Sequence, residues 1–100
     1  MALFTVRIDI VKSINFQVQM NALDAAMISE GFSKTVVDIA GTRFSLPSGE
    51  YIFERNYNIE KVRAIVIAAT AKVDEIKISF LINEVVDMDW DGLTVYPFLK

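Results

Sequence analysis

The stretch from Ala2 to Lys12, ALFTVRIDIVK, decides how this chain folds. Phe4, Val6, Ile8 and Ile10 fall on one face, and Thr5, Arg7 and Asp9 on the other. A period of two, rich in β-branched residues, reads as a half-buried strand. One face is apolar enough to carry helices. The other sets a cation and a carboxylate two residues apart on a pleated surface.

Working outward from this strand, Ser13 and Asn15 are both N-cap residue types, and a helix is expected from there to about Glu30. Phe16, Met20, Leu23 and Met27 recur on one helical face. Gly31 suits the left-handed position after a helix, with Phe32 packing back on the last turn. Ser33 to Ile39 reads as a second strand, with a turn at Ala40-Gly41-Thr42. Arg43 to Leu46 extends its pairing. Pro47-Ser48-Gly49 fits the last three positions of a type I turn, leading into a third strand, Glu50 to Arg55, antiparallel to the second. Asn58 is expected to cap a second helix, with Glu60 favourably placed against its dipole. Its buried stripe is Ile59, Val62, Ile65, Val66 and Ala69, and it should end near Lys72. Glu75 to Val85 alternates again, with Ile76, Ile78, Phe80 and Ile82 inward.

The order β-α-β-β-α-β is the split, ferredoxin-like arrangement. The expected fold class is therefore α+β: two helices on one face of a four-stranded antiparallel sheet, over residues 1–86. Residues 87–100 are expected to add an acidic turn and an apolar tail. Pro97 suits that tail to a sheet edge.

Composition narrows the chemistry. There are no cysteines and no histidines, which removes thiolate and imidazole catalysis, disulfides and the usual zinc sites. Catalysis would have to come from carboxylates, Lys, Arg, Tyr or a hard cation such as Mg²⁺ on oxygen. No apolar run approaches a membrane span. Arg7 and Asp9 interrupt any signal-like apolar segment at the start, so a cytoplasmic setting is expected. The net charge of −3 is concentrated in Glu84, Asp87, Asp89 and Asp91, with the remainder close to neutral.

Four constellations carry chemistry. Asp87-Met88-Asp89-Trp90-Asp91-Gly92 opens like a calcium loop, but its twelfth position is Phe98, where a bidentate Glu is needed. It reads better as a solvated or partner-facing acidic turn, and no metal ligand is assigned there. Trp90, Tyr96 and Phe98 beside Asp87, Asp89 and Asp91 form an aromatic-acidic segment suited to anchoring a protein partner, or to folding back on a sheet edge. Asp9 lies off-core beside Arg7. It could meet its mate across a homodimer axis and share Mg²⁺, or form a cross-strand ion pair with Arg7, Lys77 or Arg55. Lys34, Arg43 and Arg55 with Phe44, Tyr51, Phe53 and Tyr57 give the mix of cations and rings that holds single-stranded RNA on small sheets, without the RNP signature.

Gly31-Phe32-Ser33, Val36-Val37-Asp38, Gly41, Arg43, Leu46-Pro47 and Glu50-Tyr51, with the acidic exit from the last strand, resemble the GhoS-type antitoxins. The resemblance spans about Asp9 to Trp90. It implies a ferredoxin-like fold related to CRISPR-associated nucleases, and a type V antitoxin of bacterial or phage origin. Such a protein is an endoribonuclease that cuts the messenger of a membrane toxin. On that reading Asp9 is the base or metal ligand, Arg55 the catalytic cation, and Arg7, Lys34, Arg43, Tyr51 and Phe53 contact RNA. The chain departs from the family on the first helix, where the family's activity-linked arginines are absent. Between Ser13 and Ser33 there is no Lys or Arg, and Asp24 lies near where one is expected. The residues therefore leave a second reading open: a non-catalytic interaction module, an inhibitor or adaptor docking through its acidic-aromatic segment or a sheet edge.

Overall fold

The computed structural model describes residues 2–11, 15–73, 76–86, 88–93 and 95. The elements are β1 (Ala2–Ile10), α1 (Phe16–Ser29), β2 (Thr35–Val37), β3 (Arg43–Ser45), β4 (Glu50–Arg55), α2 (Ile59–Thr70) and β5 (Ile78–Val85). β1 is the middle strand of an antiparallel sheet ordered β4-β1-β5. Phe4 lies opposite Phe53, Val6 opposite Tyr51, and Ile8 opposite Phe80. Opposed residues share a face, so the apolar sides of three strands gather on one side. Phe4, Val6, Ile8, Tyr51 and Phe53 are almost wholly buried there. Met20, Leu23 and Met27 of α1 and Val62, Val66 and Ala69 of α2 close over them.

The helix ends follow from their residues. Gly31 takes φ +100°. The Phe32 N–H donates to the Met27 carbonyl and the Gly31 N–H to the Ile28 carbonyl. That is a Schellman stop, and it drops Phe32 into the core, stacked on Phe53 at 4.3 Å. The Asn58 side chain accepts from the Lys61 N–H at 2.9 Å and starts α2. Lys72 and Glu30, 2.9 Å apart, tie the two helix C-termini together. Both side chains are partly exposed, so the pair contributes less than about 1 kcal/mol. Phe16 and Ile59, expected on the buried stripes, are partly exposed, because each stands in the first turn of its helix.

The expected single four-stranded sheet is not what forms. Among the described residues five strands make a three-stranded sheet and a separate β2-β3 pair. The cause is the turn at Asp38–Thr42. Asp38 Oδ1 accepts from the Thr42 N–H at 2.9 Å, and the Asp38 N–H donates to the Thr42 carbonyl at 3.0 Å. The second strand therefore folds back on Arg43–Ser45 instead of pairing along its length with β4. Among the described residues the isolated bridge between Ser33 and Ile52 is the one backbone pairing that sets the pair beside β4. The result is an α+β fold compatible with the ferredoxin-like order, with β3 as an excursion between its second and third strands. Of the tail, Val95 bridges Phe44; Asp87, Tyr96, Pro97 and Phe98 lie outside the described residues, as do Ser13 and Glu75.

The turn before β4 is also shifted by one residue from expectation. The Glu50 N–H donates to the Pro47 carbonyl, so Pro47 is the first turn residue and Gly49 the third, at φ +82°. A third residue with positive φ is the type II requirement. The Gly49 carbonyl then accepts from the Ile8 N–H at 2.8 Å, and a Cβ at Gly49 would stand 2.5 Å from the Ile8 carbonyl oxygen. Gly41 has a similar φ, +86°, but open space around it. Gly41→Ala should therefore cost about 1 kcal/mol in urea denaturation. Gly49→Ala should cost clearly more, above about 3 kcal/mol, because backbone strain and a backbone clash add. Equal losses at the two positions would contradict this account.

Candidate functional site

Two regions of the described surface stand apart from the core under the helices. Around the upper part of β1 the side chains are charged. The Arg7 guanidinium reaches Asp9 (Nε to Oδ1, 3.5 Å) and Glu50 (Nη1 to Oε1, 3.3 Å). Asp9 is thus in the ion pair that its spacing from Arg7 allows. β1 is flanked on both edges, so Asp9 cannot meet its mate along a sheet seam. Asp9 lies opposite Ser79 and Arg55 opposite Ala2, at the two ends of β1. Seven residues of strand separate these positions, about 23 Å at 3.3 Å per residue. The base and cation expected to work together do not converge.

The remaining cations are each held separately. Arg43 donates to Thr35 Oγ1 at 2.7 Å. Arg55 lies over the Phe53 ring at 5.0 Å and donates to the Glu54 carbonyl at 2.8 Å. Lys34 donates to the Glu50 carbonyl at 3.2 Å and stands 3.8 Å from Asp24 and 4.5 Å from the centre of the Tyr51 ring. Tyr51 and Phe53, expected to stack on RNA bases from an open sheet face, instead point under the helices and are buried. The registers Val6 to Tyr51 and Phe4 to Phe53 put them on the core face of β1. The aromatic alternation of EYIFER was legible, but its side depended on a pairing register the sequence does not display. Among the described residues no three carboxylates gather at a cation position.

The Tyr51 hydroxyl donates to Asp24 Oδ1 at 2.5 Å. Asp24, which stands where the resemblance expects a cation, therefore ties α1 to β4. Burial, then the hydrogen bond to Asp24, then its charge push the Tyr51 phenol well above its ordinary pKa.

The second region is apolar and concave. The β2-β3 pair forms one wall, through Val37, Ile39 and Phe44, and the segment Met88–Leu93 forms the other. Leu3 lies between them, and the groove encloses about 860 Å³. Trp90 packs edge-on against Phe44 with ring centres 6.0 Å apart. Three carboxylates, Asp38, Asp89 and Asp91, stand at the groove, and no Lys or Arg is among the described residues lining it. Each carboxylate is oriented by a backbone N–H: Asp38 by Thr42, Asp89 by Trp90 and Asp91 by Gly92. Trp90, Asp89 and Asp91 were legible as a partner-facing group. Asp38, Ile39 and Phe44 were not, because only the β2-β3 fold-back brings them opposite Trp90. Ile39, the last residue of the expected second strand, lies beyond β2 and is fully exposed.

Compared with known proteins, the chain matches no family model and no curated protein.

The Tyr51–Asp24 contact sets a pH dependence. Above about pH 10 an unfolded chain loses the Tyr51 proton, while the folded chain keeps it. The folded state then binds more protons, so this contribution is complete below pH 10 and falls as pH rises. Tyr51→Phe should cost about 1–3 kcal/mol at pH 7 by leaving Asp24 without its donor. Above pH 10 the gap between wild type and variant should narrow by up to about 1.4 kcal/mol per pH unit. Urea titrations at pH 7, 10 and 11 read this directly, and a constant gap would refute the assignment.

Proposed function

We propose that the chain is a small protein-interaction module whose groove holds an apolar, basic segment of a partner protein. The observation that carries this reading is the charge and shape of the groove. An apolar floor with an aromatic pair is rimmed by three oriented carboxylates and by no cation among its described residues. Such a rim favours Lys and Arg on a ligand and disfavours phosphate backbones through like-charge repulsion. An inhibitor or adaptor role fits this binding mode. The ferredoxin-like reading of the fold supports it, since the helices occupy one side of the layer and leave the other available.

A second reading, the type V antitoxin with endoribonuclease activity, draws on Arg7 and Arg43, which share the open side of the layer. Arg43 lies opposite Val37, alternation leads from Val37 to Thr35 and Ser33, and the pairs Ser33–Ile52 and Ile52–Thr5 carry that side to Arg7. Two cations on one surface could hold RNA phosphates. Arg7 is already matched by Asp9 and Glu50, which is why the groove ranks first.

Trp90 is the only tryptophan, so its fluorescence reports the groove directly. Peptides alternating Lys or Arg with Leu or Val should shift its emission, and their Glu-substituted counterparts should not. Asp89→Lys with Asp91→Lys should weaken that binding by about tenfold or more, with reduced salt dependence. No response to basic peptides, or equal response to acidic ones, would reject the reading. Cleavage of single-stranded RNA that Arg43→Ala abolishes while leaving Tm unchanged would instead support the ribonuclease.

A further inference from the structure

The outer edge of β5 is a different surface from the groove. It lies on the far side of β1 from β4, and among the described residues no strand pairs with it. Its backbone groups can be assigned to one side or the other. The Val11 N–H donates to the Lys77 carbonyl at 2.8 Å, so Lys77 faces β1. Successive residues of a strand turn their N–H and C=O to opposite edges. Ser79, Leu81, Asn83 and Val85 therefore also face β1, and Ile78, Phe80, Ile82 and Glu84 face outward.

Natural edges are blunted by charge, proline, bulges or a covering element. From Ile78 to Asn83 this one has no charge and no proline. At the other end of the layer, β3 is covered at Phe44 by the Val95 bridge. Burial is also incomplete along β5. On the helix side of the sheet, Phe4, Val6, Tyr51 and Phe53 are shut away, while Ile78, Phe80 and Ile82 keep partial exposure. Leu81, on the opposite face, is 60% exposed.

We propose that the β5 edge pairs with the β5 edge of a second copy of this chain, antiparallel about a two-fold axis at Leu81. This register sets Phe80 against the partner's Ile82 and Ile78 against the partner's Glu84. All four outward residues of each copy then exchange both of their backbone hydrogen bonds. Leu81 meets the partner's Leu81 at a non-hydrogen-bonded position, and Ser79 meets the partner's Asn83. No like charges are opposed. The pairing is self-complementary and consumes the open edge, so the assembly closes at two copies and does not grow into a fibre. It also extends the helix-side apolar surface of β5 into that of its mate, which covers Ile78, Phe80 and Ile82.

Sedimentation across a concentration series should show wild type at twice the 11.3 kDa chain mass. Leu81→Lys, which sets two ammonium groups on the axis from an exposed position, should sediment as a folded monomer with unchanged circular dichroism. The chain has no cysteine, so crosslinks report the register without background. The paired Leu81 Cα atoms would stand about 4.5 Å apart, within disulfide reach. Leu81→Cys should therefore form a covalent dimer on mild oxidation. Asn83→Cys should not, because its mate lies about 13 Å further along the strand. A wild type that stays monomeric at high concentration would overturn the proposal. So would a dimer that survives Leu81→Lys, or crosslinking as fast at Asn83→Cys as at Leu81→Cys.

Discussion

The whole arrangement depends on β1 being hydrogen-bonded along both edges. A strand with neighbours on each side cannot slip, because a one-residue shift would send Phe4, Val6, Ile8 and Ile10 to the wrong face. That constraint fixes β4 and β5 in turn, and with them Tyr51, Phe53, Phe80 and Ile82. The helices then have only one apolar surface to cover. Gly49 is part of the same constraint, since its carbonyl completes the β4 side of β1 where only a residue without a side chain fits.

Much of this was legible in the residues. Alternation located β1, β4 and β5. Asn58, Gly31 and Phe32 marked helix boundaries that the hydrogen bonds reproduce. Three things were not legible, each for a physical reason. The Asp38–Thr42 turn is local, but whether the strand after it pairs backward or forward depends on competition with β4. The side taken by Tyr51 and Phe53 depends on a register between segments more than forty residues apart. The groove is built from two stretches that carry no mutual signal until the fold brings Phe44 to Trp90. The site residues show the same split. Asp89, Trp90 and Asp91 are contiguous and could be read together, whereas Asp9 and Arg55 could be separated only once β1 had its partners.

The two faces of the sheet are thus not simply core and solvent. The helix side is closed over the middle of β1 and β4 and partly open along β5. The open side is part ion pairs, around Arg7, and part apolar hollow, around Leu3. This division sets where macromolecules can touch the protein. Around Arg7 one cation faces two carboxylates, Asp9 and Glu50, so that region presents no free positive charge. The carboxylates near Trp90, with no cation among the described residues lining the hollow, offer a directed field, and low-polarity walls strengthen it.

The β2-β3 pair joins the larger sheet through one bridge at Ser33 and the Lys34 contact to Glu50. Among the described residues few bonds cross that seam, so one wall of the hollow is mechanically softer than the floor beneath it. A cleft with a rigid base and a yielding side adjusts its width to what enters. It therefore discriminates among guests by their charge and their longest apolar residue more than by precise contour.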